Sequence, residues 1–167
     1  MEQMSFLHKQ PLQVYTLKSC VFTGHRGLGT DFSEEALISA VEGVIARGVT
    51  DFYNGMAVGF DLAAAEIVLK LKKKYPQIRL IACIPCYNQE KNYDDKDKKR
   101  YAKLVKKADE RVQLADEYYT GCMLVRDKYM VERADIMITY CKRNTGGTAY
   151  TVRHFKKVRP GREIIFL

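Results

Sequence analysis

The chain has 167 residues, 47% of them hydrophobic, and a formal net charge of +8. That length supports one domain burying roughly 70% of its unfolded surface, and no apolar run approaches the ~20 residues of a membrane-spanning helix. Met1 to Val14 lacks the cationic start and apolar stretch of a signal peptide, and the five cysteines do not form a disulfide framework, so the sequence predicts a cytoplasmic protein.

In chain order, Lys18 to Thr23 reads as a short strand, because Cys20, Val21 and Phe22 are continuously apolar, as in a strand buried on both faces. Ser33 is placed to cap a helix with Glu34 and Glu35 in its first turn, Leu37, Val41, Val44 and Ile45 recur at helical spacing, and Gly48 closes it. A second strand is expected over Val49 to Tyr53 and a helix over Asp61 to Lys74, stopped by Pro76. Ile78 to Ile84 is the third strand, followed by a polar loop and a charged helix from about Lys98 to Ala108. Arg111 to Leu114 is a short fourth strand, Cys122 to Arg133 an amphipathic helix, and Asp135 to Tyr140 the fifth strand. A helix from the Gly146-Gly147 turn to about Lys156 and a strand over Glu163 to Leu167 complete the pattern. Six strands alternating with helices predict an α/β fold: one Rossmann-like, doubly wound, mostly parallel sheet with helices on both faces. The domain spans residues 18–167, after an N-terminal extension over 1–17.

Three glycine-bearing turns follow strand-like runs and lead into helix-like ones: Phe22-Thr23-Gly24-His25-Arg26-Gly27, Asn54-Gly55-Met56-Ala57-Val58-Gly59-Phe60-Asp61, and Asn144-Thr145-Gly146-Gly147-Thr148. In a parallel sheet such turns share the rim at the carboxyl ends of the strands, where backbone N–H groups and helix N-termini hold phosphate. Gly24 lets the backbone approach a ligand, and Arg26 is suited to pair with a phosphate. His25 is either a ligand contact or a ring bonded to backbone. Asp61 reads as a helix cap or as a carboxylate facing the rim, and Glu66 is not on the same helix face. Arg126 stands near the start of its helix, either reaching a ligand or paired at the surface. Gly146, Gly147 and Thr148 read as the best phosphate cradle in the chain or as a plain strand-to-helix turn. The pattern is not GxGxxG, and Tyr53-Asn54 stands where a dinucleotide fold places its ribose-binding acid. Cys83 and Cys86 have no second pair to complete a zinc set, so no metal site is predicted. Much of the excess charge lies in 91–111, where it is interleaved with acids as on a solvated helix face, and in 153–162. A nucleic-acid track, with Tyr87, Tyr93 and Tyr101 stacking on bases, is the alternative.

Together, Phe22 to Arg26, Gly55 to Glu66, Arg126 to Val131 and Thr145 to Thr148 resemble the YpsA-like branch of the SLOG superfamily, which also holds DprA and the LOG phosphoribohydrolases. The resemblance runs from Lys18 to Leu167. It implies a Rossmann-like fold whose glycine motifs bind a nucleotide or ADP-ribose-like ligand, with a homodimer as a candidate assembly and a link to bacterial cell division in some members. In LOG enzymes the catalytic residues are an Arg ahead of a Met and the Glu that ends PGGxGTxxE. Arg126, Met130, Ala134 and Asp135 match the first part; Asn144 to Thr151 is one residue shorter in the glycine turn and has no Glu after Thr148.

Three functions follow as expectations. The first is a sensor or regulatory module for a small phosphorylated ligand, bound by Gly24, His25, Arg26, Gly55, Gly59, Asp61, Arg126, Gly146, Gly147 and Thr148. The second is an N-glycosidic hydrolase of nucleotide-sugars or nucleoside monophosphates, with Asp61, Glu66 and Arg126 as catalytic candidates. The third is a DprA-like nucleic-acid-binding protein.

Overall fold

The apolar runs around Phe22, Ile81 and Ile138 and three shorter, more mixed segments become strands that lie side by side in one sheet. The computed structural model describes residues 16–167, so most of the expected N-terminal extension lies outside the described residues. The elements are β1 (Ser19–Gly24), α1 (Glu34–Ala46), β2 (Asp51–Asn54), α2 (Phe60–Lys72), β3 (Arg79–Ile84), a 3₁₀ turn (Gln89–Asn92), α3 (Asp95–Lys107), β4 (Glu110–Gln113), α4 (Cys122–Arg133), β5 (Ile136–Tyr140), α5 (Gly147–Val158) and β6 (Ile164–Phe166). The strand order is β4-β3-β2-β1-β5-β6 and every pairing is parallel. The chain winds from β1 out to β4, then returns to the other side of β1 to lay down β5 and β6. This reversal makes the carboxyl ends of β1 and β5 the topological switch point, where open α/β sheets bind their ligands.

Right-handed crossovers put α1, α2 and α3 on one face and α4 and α5 on the other. The first face buries Leu37 and Val41 of α1, Leu62 and Val68 of α2 and Leu104 of α3 against Phe22, Phe52 and Leu80. The second buries Met130, Val131, Val152 and Phe155 against Val21, Ile81 and Met137. Neighbouring residues of β1 and β5 thus point into opposite layers, which accounts for their unbroken apolar runs. Ser33 caps α1 as expected, its hydroxyl accepting from the Ala36 N–H at 3.1 Å. The charged helix begins three residues before the expected Lys98, because Asp94 caps it through the Asp97 N–H at 2.7 Å. Among the described residues no helix is long and apolar enough to cross a membrane.

Candidate functional site

β1 ends at Gly24, where a Cβ would lie 2.3 Å from Cγ of Phe60. A side chain there would displace the first residue of α2. His25 follows, only 6% exposed. Its N–H donates to the Tyr140 carbonyl at 3.2 Å and its carbonyl accepts from the Phe60 N–H at 3.1 Å, so one residue ties the ends of β1 and β5 to the start of α2. The Lys142 N–H donates to His25 Nε2 at 2.7 Å, which assigns the ring proton to Nδ1. Burial first, and Arg143 second, lower the pKa of the ring and keep it neutral. Arg143 Nη2 sits 3.3 Å from Nδ1. Two donors therefore converge on one spot, an arrangement completed by an acceptor oxygen that both can reach. Farther along, the Tyr140 hydroxyl donates to Asp31 at 2.6 Å and accepts the Gly29 N–H at 3.1 Å, pinning the β1–α1 loop.

The β2–α2 turn is built by buried polar groups. Asn54 is fully buried. Its side chain accepts from the Met56 N–H at 2.7 Å and donates to the Asp61 carbonyl at 2.8 Å. Met56 has φ 60, left-handed for a non-glycine residue, and its carbonyl accepts from the Tyr93 hydroxyl at 3.0 Å. Gly59, with φ 81, is the N-cap of α2 and lies against the Arg26 carbonyl. The expected capping role of Asp61 is therefore taken by Gly59, and Asp61 stands one residue inside the helix.

There Asp61 is 6% exposed. Its Oδ2 accepts from the Ala57 N–H at 3.3 Å, and its buried Oδ1 has no hydrogen-bond partner. Burial pushes its pKa up to about 7, the Arg126 guanidinium opposes the rise and the Asp127 carboxylate adds to it. Below about 7 the folded protein holds this proton, while the unfolded chain releases it above about 4. Stability from this group is therefore greatest in acid and falls as pH rises through about 4 to 7, by about 4 kcal/mol in all. Asp61→Asn is expected to be more stable than the parent at pH 8 and to lose most of that advantage by about pH 4. Urea denaturation of both proteins across pH checks it, and parallel profiles would refute it.

Arg126 rises from the first turns of α4 into the protein, its side chain 6% exposed. Nη1 donates to the Gly55 carbonyl and, at 3.3 Å, to the Cys83 carbonyl; Nε donates to Asp127 at 2.7 Å. It thus stitches the ends of β2 and β3 to α4. A Cβ on Gly55 would lie 2.6 Å from Cζ of Arg126, so Gly55 gives passage to the guanidinium. Asp127 links α4 to α5 by accepting from the Thr151 hydroxyl at 3.2 Å.

α5 opens at Gly146, with φ 91, and has neither a side-chain cap nor an acid in its first turn. The first N–H groups of the helix have no intrahelical acceptors, and its positive dipole end is uncompensated. These groups face a cleft of about 300 Å³ lined by Gly24, His25, Arg26, Asp61, Arg126, Gly146, Gly147 and Thr148, together with Arg143. Eight of the ten expected binding residues meet there. Gly55 and Gly59 shape its walls from behind.

Glu66 is not brought to the cleft. It lies on the outer side of α2, paired with Arg100 at 2.6 Å. Of the tyrosines expected to stack on bases, Tyr93 and Tyr101 face inward and pack edge to face at 5.8 Å; only Tyr87 is freely exposed, at 69%. Cys83 and Cys86 are buried, and burial raises both thiols, Cys83 to about 12. Among the described residues no three His, Cys, Asp or Glu side chains group as a metal site. Arg143 is the cleft residue that motif reasoning passes over; its one signal is a basic residue between a strand end and a glycine turn.

The family model of the YspA SLOG family matches residues 20–164. A UPF0398 protein of Halalkalibacterium halodurans is 27% identical over 136 residues, 80% of this chain and 72% of that protein. A UPF0398 protein of Lysinibacillus sphaericus is 28% identical over 102 residues, covering 59% of this chain and 57% of its own length. Among solved structures, that of DNA processing protein A from Helicobacter pylori, described for its single-stranded DNA binding mode, superposes with TM-score 0.65 at 18% identity, over 92% of this chain and 66% of that one. That likeness concerns the fold. With the six-stranded parallel sheet and the glycine turns at its switch point, the match over 20–164 places this chain in the YspA SLOG family.

Proposed function

We propose that the chain binds a nucleotide or nucleotide-sugar of the ADP-ribose kind in this cleft and acts as a sensor or regulatory module. The observation that carries the reading is the meeting of an uncapped helix N-terminus, three arginines and a buried carboxyl with an unpartnered oxygen at the β1/β5 switch point. Phosphate is met by the α5 N–H groups, Arg26, Arg143 and the Nδ1–H of His25. The Asp61 carboxyl provides an acceptor, or when protonated a donor, for a sugar hydroxyl. Asn144 to Thr151 has no acid to stabilise an oxocarbenium-like centre, so the LOG route is not part of this reading.

A hydrolytic reading has one observation in its favour: a carboxyl with its pKa near 7 is suited to general acid–base work. It requires base release from a nucleoside monophosphate or nucleotide-sugar, abolished by Asp61→Asn.

The test is a thermal-shift titration with ADP-ribose, NAD, AMP and a short single-stranded DNA at low and high salt. A ligand at about 100 times its Kd adds roughly 2.7 kcal/mol of stability. A salt-resistant shift with one small nucleotide upholds the proposal. A salt-sensitive response to DNA alone transfers the weight to the basic surface. Gly147→Val separates the cases further. A Cβ at Gly147 meets nothing within 4 Å, so the variant is expected to fold with parental stability while its side chain fills the phosphate position. Small-ligand binding should drop at least about a hundredfold, some 2.7 kcal/mol, by calorimetry; unchanged affinity would place the ligand elsewhere.

A further inference from the structure

A second concavity, of about 790 Å³, lies away from the cleft on the outer side of α2 and α3 and is bordered by the β1–α1 loop. Its floor is aliphatic: Leu28, Ala63, Ile67, Leu69 and Leu104. Its rim carries Lys70 from α2, Lys73 at that helix's C-cap, and Lys96, Lys103 and Lys107 from α3. All five lysines are exposed, and none has an ion-pair partner among the described residues. The sixth cation, Arg100, is already spent on Glu66 at 2.6 Å and Asp97 at 2.8 Å. The Glu66 bridge ties α3 to α2, while the Asp97 bridge stays within α3. Glu34 is then the one lining carboxylate left to face the five lysines.

We propose that this groove is the docking site for an acidic amphipathic helix of a partner protein. The groove runs along α2 from Ala63 to Lys73. At 1.5 Å per residue that is ~15 Å, room for about three turns of a third helix. Apolar side chains at i, i+3 or i+4, and i+7 of such a helix meet the aliphatic floor, and carboxylates flanking that stripe meet the lysines. The alternatives fit less well. Single-stranded nucleic acid needs aromatic faces to stack on, and the one aromatic ring lining the groove, Phe32, is half-buried and engaged edge to face with Phe60 and Tyr140. A membrane surface is met by protruding apolar side chains, whereas most of this floor is recessed between helices.

The experiment uses the full chain and a fluorescein-labelled, lactam-stapled helical peptide carrying a leucine stripe flanked by glutamates, read by anisotropy. A peptide of the same composition with the leucines spread round the helix is the control. The expected result is saturable binding of the striped peptide, at least about tenfold weaker binding of the control, and a similar loss for Lys70→Glu/Lys103→Glu. Ala63→Glu, on the floor, is expected to lose binding as well, with folding of both variants checked by urea denaturation. Gly147→Val is expected to bind the peptide like the parent, which separates this surface from the nucleotide cleft. Equal binding of the two peptides would overturn the proposal, as would no binding of either. So would displacement of the striped peptide by oligo-dT or by phosphatidylglycerol vesicles at lower concentration than by unlabelled striped peptide.

Discussion

Alanine at Gly59 is expected to lower the unfolding free energy by about 4 kcal/mol, the sum of a left-handed backbone penalty and a broken turn. Gly59 has φ 81, and a Cβ there would lie 2.1 Å from the Arg26 carbonyl oxygen and 2.7 Å from that of His25. Both neighbours are backbone, so no rotamer change relieves the overlap. To make room, the β1–α1 loop must move away from α2, which breaks the 3.1 Å bond from the Phe60 N–H to the His25 carbonyl. Urea denaturation measures the loss. Gly27→Ala, where a Cβ meets nothing within 4 Å, is the paired control and is expected to stay within about 0.5 kcal/mol of the parent. A loss below about 1 kcal/mol for Gly59→Ala would show that the loop yields freely.

Arg126→Ala is expected to cost about 3 to 5 kcal/mol, because it strips a buried cation from a partly compensated network. The Cys83 carbonyl loses its guanidinium donor and Asp127 its ion-pair partner, while the Gly55 carbonyl keeps only the Gln89 side-chain amide, at 2.9 Å. Lysine should not restore the loss, since one ammonium on a flexible stem cannot reproduce the planar fork that spans two strand ends and a carboxylate. A second readout separates charge from packing. Arg126 is the foremost influence holding the Asp61 pKa down, so its removal should move the Asp61-dependent stability change to higher pH, and Arg126→Met should do the same while keeping most of the volume. Denaturation of Arg126→Met with and without Asp61→Asn across pH tests this; an unmoved transition would show that the two groups are not coupled.

The sheet was legible in the sequence because strands buried on both faces are written as continuous apolar runs, and Ser33 marked a helix start by local chemistry alone. The glycine turns told where the cleft would lie, for the physical reason that close approach requires glycine at 24, 55 and 59 and a left-handed φ favours it at 146. What lay beyond reach were tertiary partners. Asp94 was hidden as a cap in a run of alternating charges, and Tyr93 and Tyr101 carry no mark of facing inward. Arg126 was legible as a cleft residue, but its acceptors, Gly55 and Cys83, belong to turns far away in sequence. Glu66 and Asp61 differ little on paper. Their separation into an exposed ion pair and a buried acid depends on which side of α2 lies against the sheet.

The pairing of Cys20 with Ile136 and of Phe22 with Ile138 has a consequence for synthesis of the chain. β2, β3 and β4 leave the ribosome before β5 exists, so β1 must wait with one side unpaired while its Val21 still lacks the α4–α5 layer. An apolar strand held open in this way is the kind of edge on which chains aggregate. The seam closes only after α4 and β5 have been made, and the uncapped end of α5 follows directly. The cleft at the switch point is therefore among the last parts of the molecule to come into being.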